Sequence, residues 1–444
     1  MIVLKFGGTS VGSAPMIDNA IDITVDQINK SPVIVSSAMS KVTNWILEMI
    51  DYAKVSDTSR CFEIFNTLKK KHLDTCNSFL TKDNLNNAVD KLDFLFDEID
   101  SLLNSLIMLK ECSPRTKDTL LSFGERLSTT IIYYRCLERG INTELLDSRD
   151  FIKTDNNFNS AQIILEECNA LIPKYILPEP NKIVISQGFI SSTLDGATST
   201  LGRGGSDYTS TIIGSALNAT EVQIWTDVTG IKTSDPRIIS GTKTIEHLTY
   251  TEAAELAYFG AKVVHPATIQ PAVKKSIPVW VRNTNDRHSS GTKITESVFE
   301  TGLKAISGKK EVTVVNITSS KMLNAYGFLR RLFSVFEKYQ TPVDLISTSE
   351  VSVTITIEDK KNLDSIVDEL CQLGKVKVEE DKSIICLVGQ ELWKDSLFIS
   401  RVFSVLKDTP IRMISLGSSD TNLSFVVPGK ATDSTIQLLH NEFF

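Results

Sequence analysis

Cysteine and histidine are sparse in this chain. The seven cysteines (Cys61, Cys76, Cys112, Cys136, Cys168, Cys371 and Cys386) include no C-x-x-C pair, and the five histidines form no cluster beside them. That spacing speaks against a zinc site and against a disulfide framework. The thiols are expected to be reduced and mostly buried, and no metal ligand is assigned. Basic charge is not in excess either: 47 Lys and Arg stand against 54 Asp and Glu, a net charge of -7. The clustered cations that release counterions from nucleic acid are therefore missing, and no nucleic-acid partner is expected. Long apolar runs are absent. Met1-Ile2-Val3-Leu4-Lys5-Phe6 is too short for a signal peptide, and nothing approaches transmembrane length. A soluble, cytoplasmic protein without a membrane partner is the expectation. Proline (13) and glycine (22) are few for 444 residues, and a composition 41% hydrophobic and 23% charged is that of a globular protein. Such a length accommodates two or three domains.

What is present is ordered along the chain. Ile2–Phe6 reads as a buried strand closed by Gly7-Gly8-Thr9-Ser10, and Pro32–Ser36 as a second strand before the small-residue turn Ser37-Ala38-Met39-Ser40. From about Val42 to Glu138 apolar residues recur at helical spacing, as in Leu92, Leu95, Phe96, Ile99, Leu102, Leu103 and Leu106. Strand-like runs return at 182–189 and 221–226, with a Gly-rich stretch and a helix-like segment between them. A helical 250–259 and a strand at 278–282 follow. Such alternation implies a mainly parallel sheet covered on both faces. After about residue 305 the texture changes and an internal repeat appears. Residues 328–357 and 398–427 share Phe-Ser-Val (333–335 and 403–405) and a Thr-Pro-aliphatic-x-aliphatic-Ile-Ser run (341–347 and 409–415). With the strands at 312–317 and 383–388, each copy reads as a βαββ unit that buries its sheet against a neighbour.

Several segments bear chemistry. Lys5 at a strand end followed by Gly7 and Gly8 is either a tight turn or a place where backbone amides approach a phosphate. Thr200-Leu201-Gly202-Arg203-Gly204-Gly205-Ser206-Asp207 is more specific: glycines flank an arginine fork suited to a carboxylate and lead into a helix, with Ser206 as the expected N-cap. Asp207 is there either to pair with a cation or metal or to cap the helix. Glu125, in Ser122-Phe123-Gly124-Glu125, either binds an amine or pairs with a surface cation. Thr226, Asp227, Lys232, Asp235 and Arg237 follow a strand end, where open α/β sheets bind ligands. Gly260 is expected to end a helix, Lys262 follows it, and His265 before Pro266 reads as a turn residue and not a base.

Taken together, KFGGTSV at 5–11, VSSAMSKVTN at 35–44, SFGERLS at 122–128, SQGFI at 186–190, TLGRGGSDYT at 200–209 and IWTDVTGIKTSDPR at 224–237 resemble the aspartate kinase family. EAAELAYFGAKVVHP at 252–266, IPVWVRNT at 277–284, NAYGFLRRLF and VDLISTSEVSV extend the resemblance over nearly the whole chain. It implies an α/β fold, an amino-acid-kinase αβα sandwich with a mainly parallel sheet (1–305), followed by two α+β ACT regulatory domains (306–380 and 381–444), able to interleave. It implies phosphorylation of L-aspartate by ATP with Mg2+, giving 4-phospho-L-aspartate at the start of lysine, threonine and methionine biosynthesis. An aspartate carboxylate is already ionised at neutral pH and needs no general base. The obstacle is the meeting of two anions, about 4 kcal/mol per charge pair at ~4 Å and an effective dielectric near 20.

Carried over residue by residue, the resemblance makes Lys5 the clamp on the transferring phosphoryl, Asp207 its holder, and Gly7 and Gly8 backbone donors. It puts Ser37, Ala38, Thr43, Glu125, Phe189, Arg203 and Ser206 at aspartate, with Arg203 on a carboxylate and Glu125 on the α-amine. Thr226, Asp227, Lys232, Arg237, Lys262 and Val263 match the nucleotide site. Two departures stand out: Lys232 where many relatives carry Tyr, and Lys41 where one branch has a small residue. The C-terminal repeat resembles the lysine-inhibited branch, with L-lysine expected at Met322, Phe328, Leu329, Val343, Asp344, Ser349, Glu350 and Val351, across a homodimer of ACT domains able to pair into tetramers. Asp344 aligns with Arg412 of the second copy, so the first copy is the better ammonium pocket. A kinase acting on glutamate or acetylglutamate would lack the ACT pair, and the length leaves no room for an appended homoserine dehydrogenase. A sensor with a dead kinase domain would need a broken phosphate site, whereas Lys5, Arg203 and Asp207 are intact.

Overall fold

The computed structural model describes residues 1–260, 264–298, 300–323 and 326–444. The chain folds into two compact units, residues 1–231 with 264–296, and residues 232–263 with 297–444. The sequence groups 232–263 with the first 305 residues. In the structure it packs with the C-terminal unit, because its backbone and side chains are bonded there: Thr233 accepts at its carbonyl from Ile306 N–H (2.8 Å), and Thr249 accepts from Gln390 Nε2 (3.0 Å).

In the first unit the main sheet runs in the order Thr143–Leu146, Ile183–Gln187, Pro32–Ser36, Ile2–Phe6, Glu221–Thr226, Val279–Asn283, Thr292–Thr295. All neighbouring pairs are parallel except the last. Ile2, Val3, Leu4, Val33, Ile34, Ile185, Val222 and Ile224 are buried, as expected of strands covered on both faces. Phe6 pairs with Ser36 and Trp225, and Ser36 with Gln187, so the carboxyl ends of four strands finish level at one edge. Open α/β sheets present ligand sites at such an edge.

The expected helical region is four helices: Val42–Lys54, Thr58–Phe79, Lys82–Leu109 and Pro114–Glu138. Leu92, Leu95, Phe96, Ile99, Leu103 and Leu106 are buried in one core with Ile46, Leu68, Leu127 and Ile131. Asp57 and Ser113 cap two of the helices by accepting from Arg60 and Thr116 N–H. Pro114–Glu138 differs from the others. Asp118, Ser122, Glu125 and Thr129 recur at helical spacing and are all buried, which turns a polar stripe inward. Five of the seven cysteines are buried, and all seven are free thiols.

The second unit holds an antiparallel sheet in the order Ile346–Thr348, Ser352–Ile357, Gly302–Thr318, Lys375–Gln390, Asn422–Pro428, Met413–Leu416. Its two long central strands serve both repeat copies. Residues 313–318 pair with 352–357 and residues 302–309 with 384–390, while 382–388 pairs onward with 422–428. The copies thus interleave through one sheet, and the 302–318 strand starts ten residues before the expected 312–317. Register shifts between Lys309, Val312 and Val314 mark the joint, where Glu311 adopts a left-handed φ of 62°. Each copy keeps its own core. Phe328, Leu332, Val335 and Phe336 of one helix pack on Val315, Val353 and Ile355 in the first, and Phe398, Val402 and Ile436 pack on Ile385, Leu387 and Phe425 in the second.

Candidate active site

The level strand ends open into a cavity of ≈ 480 Å³ lined by Lys5, Gly7, Gly8, Thr9, Ser37, Ala38, Met39, Ser40, Lys41, Thr43, Asn44, Glu125, Phe189, Gly202, Gly204, Gly205, Ser206, Asp207 and Thr226. At its floor Lys5 Nζ lies 2.7 Å from Asp207 Oδ1, both side chains 12% exposed. Low exposure keeps this pair strong, since solvent screens it little. Asp207 is the third residue of the Gly205–Ala216 helix, whose N-terminal amides add partial positive charge to the same spot.

The glycines here have distinct causes. A Cβ on Gly8 would come within 2.9 Å of the Ala38 carbonyl, so only glycine lets this turn lie against the neighbouring one. The Gly7 amide is committed to the Trp225 carbonyl (3.1 Å) and is not free for a ligand, unlike the expectation for this residue. Among the described residues no partner is found for the amides of Gly8 and Thr9. Ser206 is not the helix cap. Gly204 takes that place with φ 74°, a conformation that costs a side chain energy, and the Ser206 hydroxyl instead accepts from Ser37 Oγ (2.9 Å).

The buried stripe of helix 114–138 builds the far wall. Glu125 is 3% exposed and accepts from the Ala38 amide (3.1 Å), while its Oε2 has no partner. Burial pushes its carboxyl up to about 8, the Ala38 amide pulling it back only in part. Ser128 donates to the Ser37 carbonyl (2.6 Å), and Thr129 accepts from Gln187 (3.0 Å). Asp118 accepts from the amides of Asn159 and Thr200 and from the Thr200 hydroxyl (2.7 Å), fastening the start of the Gly-rich loop. Sequence reading missed Asp118. The signal was there, a carboxylate inside an apolar helical run, seven residues before Glu125.

Of the residues expected at the site, Lys5, Gly7, Gly8, Ser37, Ala38, Thr43, Glu125, Phe189, Ser206, Asp207 and Thr226 line this one cavity. Phe189 has a left-handed φ of 65° and its amide donates to Thr209 Oγ1 (3.1 Å). Arg203 is exposed between the lining glycines 202 and 204 and is not itself part of the wall. Asp227 is exposed and accepts from the Thr226 hydroxyl (3.1 Å). Lys232 and Arg237 belong to the other unit, where Lys232 donates to Thr244 (2.7 Å) and Arg237 forks onto Asp235 (2.6 Å). Lys262 and Val263 lie outside the described residues. His265 caps the Pro266–Val273 helix, accepting from the Ala267 amide, a structural role as expected. Met39, Ser40, Lys41 and Asn44 are lining residues that were not expected; Lys41 holds a left-handed φ of 73° at the start of helix 42–54.

In the second unit, the residues expected to meet an effector are spread out. Phe328 is 4% exposed in the first copy's core, and Met322 and Val343 pack against that core. Leu329 and Val351 are exposed. Asp344 N–H donates to the Thr356 carbonyl at the open end of the 346–357 hairpin, whereas Ser349, Glu350 and Val351 form its turn, where Ser349 N–H donates to Ser352.

A family model described as the amino acid kinase family matches residues 1–283, and an ACT domain model matches residues 385–443. The chain is 35% identical to the lysine-sensitive aspartokinase 3 of Escherichia coli, over all of this chain and 99% of that one. It is 37% identical to the chloroplastic aspartokinase 1 of Arabidopsis thaliana, over all of this chain and 80% of that one. Among solved structures, the E. coli aspartokinase III complex with aspartate and ADP matches with a TM-score of 0.85 at 34% identity. That match covers both chains in full. The same enzyme in complex with lysine and aspartate matches with a TM-score of 0.80 at 34% identity, over all of this chain and 99% of that one.

Proposed function

The chain belongs to the amino acid kinase family and, within it, to the aspartokinases, and we propose that the Lys5–Asp207 cavity transfers the γ-phosphoryl group of MgATP to the side-chain carboxylate of L-aspartate. The observation that carries this assignment of the site is the shielded Lys5–Asp207 pair, set beside the free amides of Gly8 and Thr9 in the same cavity as Glu125.

The nucleophile arrives ionised, so no side chain has to remove a proton. What the site supplies is position and positive charge. Asp207 fixes the direction of Lys5, whose ammonium meets the transferring phosphoryl. The Gly8 and Thr9 amides and the start of helix 205–216 add donors around it. Mg2+ enters with the nucleotide: among the described residues no group of three or more His, Cys, Asp or Glu side chains could hold a resident ion, and magnesium is commonly held by phosphates and water. Glu125 receives the α-ammonium of aspartate, whose charge lets the buried carboxyl ionise, while Ser37, Thr43 and Ser206 supply hydrogen bonds and Arg203 swings onto a carboxylate. Thr226 and Asp227, with Lys232, Arg237, Lys262 and Val263, serve the nucleotide.

L-Lysine inhibits the enzyme through the first repeat copy. Asp344 and Glu350 lie at opposite ends of one hairpin, about 13 Å or more apart at ~3.3 Å per residue. One effector therefore touches both only when the turn comes from a second copy, which supports a homodimer through the ACT sheet. The exposed edge strand Ile346–Thr348 supports the same reading. No helix among the described residues is long and apolar enough to cross a membrane, in keeping with a cytoplasmic enzyme. Trapping the acyl phosphate with hydroxylamine tests the reaction. Hydroxamate should form with MgATP and aspartate and not with glutamate; none with aspartate would refute the assignment.

A further inference from the structure

The Asp344 carboxylate is not waiting empty for an effector. Its side chain is 2% exposed, and Lys309 Nζ lies 2.8 Å from its Oδ1. The same ammonium is 2.9 Å from Glu358 and sits over the Tyr258 ring at 4.5 Å, while the Tyr258 hydroxyl donates to Asp344. Burial and then the Asp344 carboxylate push that phenol up, so it stays a donor. Two carboxylates and an aromatic face around one ammonium are the elements that recognise a free alkylammonium ion. Lys309 reaches them from the register shift at the joint between the two repeat copies, next to the left-handed Glu311. Asp344 Oδ2 is buried without a hydrogen-bond partner, a second acceptor on the same carboxylate. The second copy has no counterpart. Arg412 N–H donates to Val426 as Asp344 N–H does to Thr356, but the Arg412 side chain pairs with Glu379, which leaves a cation where the first copy has an anion.

We propose that Lys309 is a built-in occupant of the effector-ammonium site at Asp344, and that free L-lysine binds by displacing it. The inference rests on the reading of Asp344 as part of the lysine site. A tethered ammonium competes at high effective concentration, so it weakens the apparent affinity of the effector. Displacement also frees Tyr258, the last residue of the Tyr250–Tyr258 helix, from its carboxylate. That helix belongs to the 232–263 segment carrying Lys232 and Arg237, which gives the effector a physical route toward residues proposed for the nucleotide.

The test uses the full chain and L-lysine, read both by calorimetry and by inhibition. Lys309→Met should bind lysine at least about tenfold tighter than wild type, the worth of one charge-assisted hydrogen bond no longer competed for. Tyr258→Phe keeps Lys309 paired and is the safer variant for folding; it should shift affinity the same way by a smaller factor. Asp344→Asn should lose most of the binding. If Asp344→Asn loses binding while Lys309→Met and Tyr258→Phe bind no tighter than wild type, the displacement idea is wrong and the effector site stands. If neither wild type nor Lys309→Met binds lysine, the effector reading fails and takes the inference with it.

Discussion

Among the described residues two lysine–aspartate pairs are shielded, Lys5–Asp207 at 2.7 Å and Lys309–Asp344 at 2.8 Å, with both lysines 12% exposed. Their surroundings differ. Lys5 lies at a strand end beside open space, unpaired amides and a helix N-terminus, so its charge has somewhere to act. Lys309 is closed in by a second carboxylate and an aromatic ring, and its charge is fully used by the protein. Similar ion pairs thus do different work according to what else the ammonium can reach. On the reading proposed above, the first is a device for an incoming phosphoryl group, the second a latch that an incoming ammonium must open.

The comparison breaks most sharply at Lys5. Lys5→Ala should lower kcat by about 10²–10³-fold, the scale for removing one preorganised electrostatic stabiliser, whereas Lys309→Met should leave turnover without lysine within about twofold. Asp207→Asn should follow with about a tenfold loss of kcat, because Lys5 remains but is no longer directed. Both are read from steady-state rates of ADP release.

Glu125 sharpens the contrast by pH. Its folded-state pKa of about 8 lies above the ordinary 4.5, so the unliganded protein keeps it protonated at neutral pH. Ionising it costs stability progressively as pH rises from about 4.5 through 8. The Michaelis constant for aspartate should therefore fall as pH rises toward 8 in wild type. Glu125→Gln should raise that constant about tenfold, flatten its pH dependence and melt higher than wild type above about pH 8 without substrate. The smallest effect is expected in the second repeat copy. Arg412→Ala should change the lysine inhibition constant by less than about twofold, because Arg412 offers an ammonium nothing.

The strands, the four-helix region and the doubled βαββ pattern were legible because period and repetition carry them: Leu92 to Leu106 and the two Phe-Ser-Val copies point to what the structure contains. The cavity's residues were legible through their motifs, since Lys5, Gly8, Glu125 and Asp207 do meet. What was not legible depended on long-range partners. Nothing local says that Gly7 gives its amide to Trp225, that Gly204 rather than Ser206 caps the helix, or that Asp118 fastens Thr200. The pairing of Asp344 with Lys309, 35 residues away, likewise exists only once the 352–357 strand joins the 302–318 strand on one side and bonds the Asp344 amide on the other.

We assign Lys5 to the phosphoryl group in transfer and not to aspartate in binding. Measuring turnover and aspartate affinity side by side in wild type and Lys5→Ala, with calorimetry for binding, separates the two. A collapse of kcat with the aspartate dissociation constant within about threefold of wild type is the predicted result. An unchanged kcat with weakened aspartate binding would contradict it.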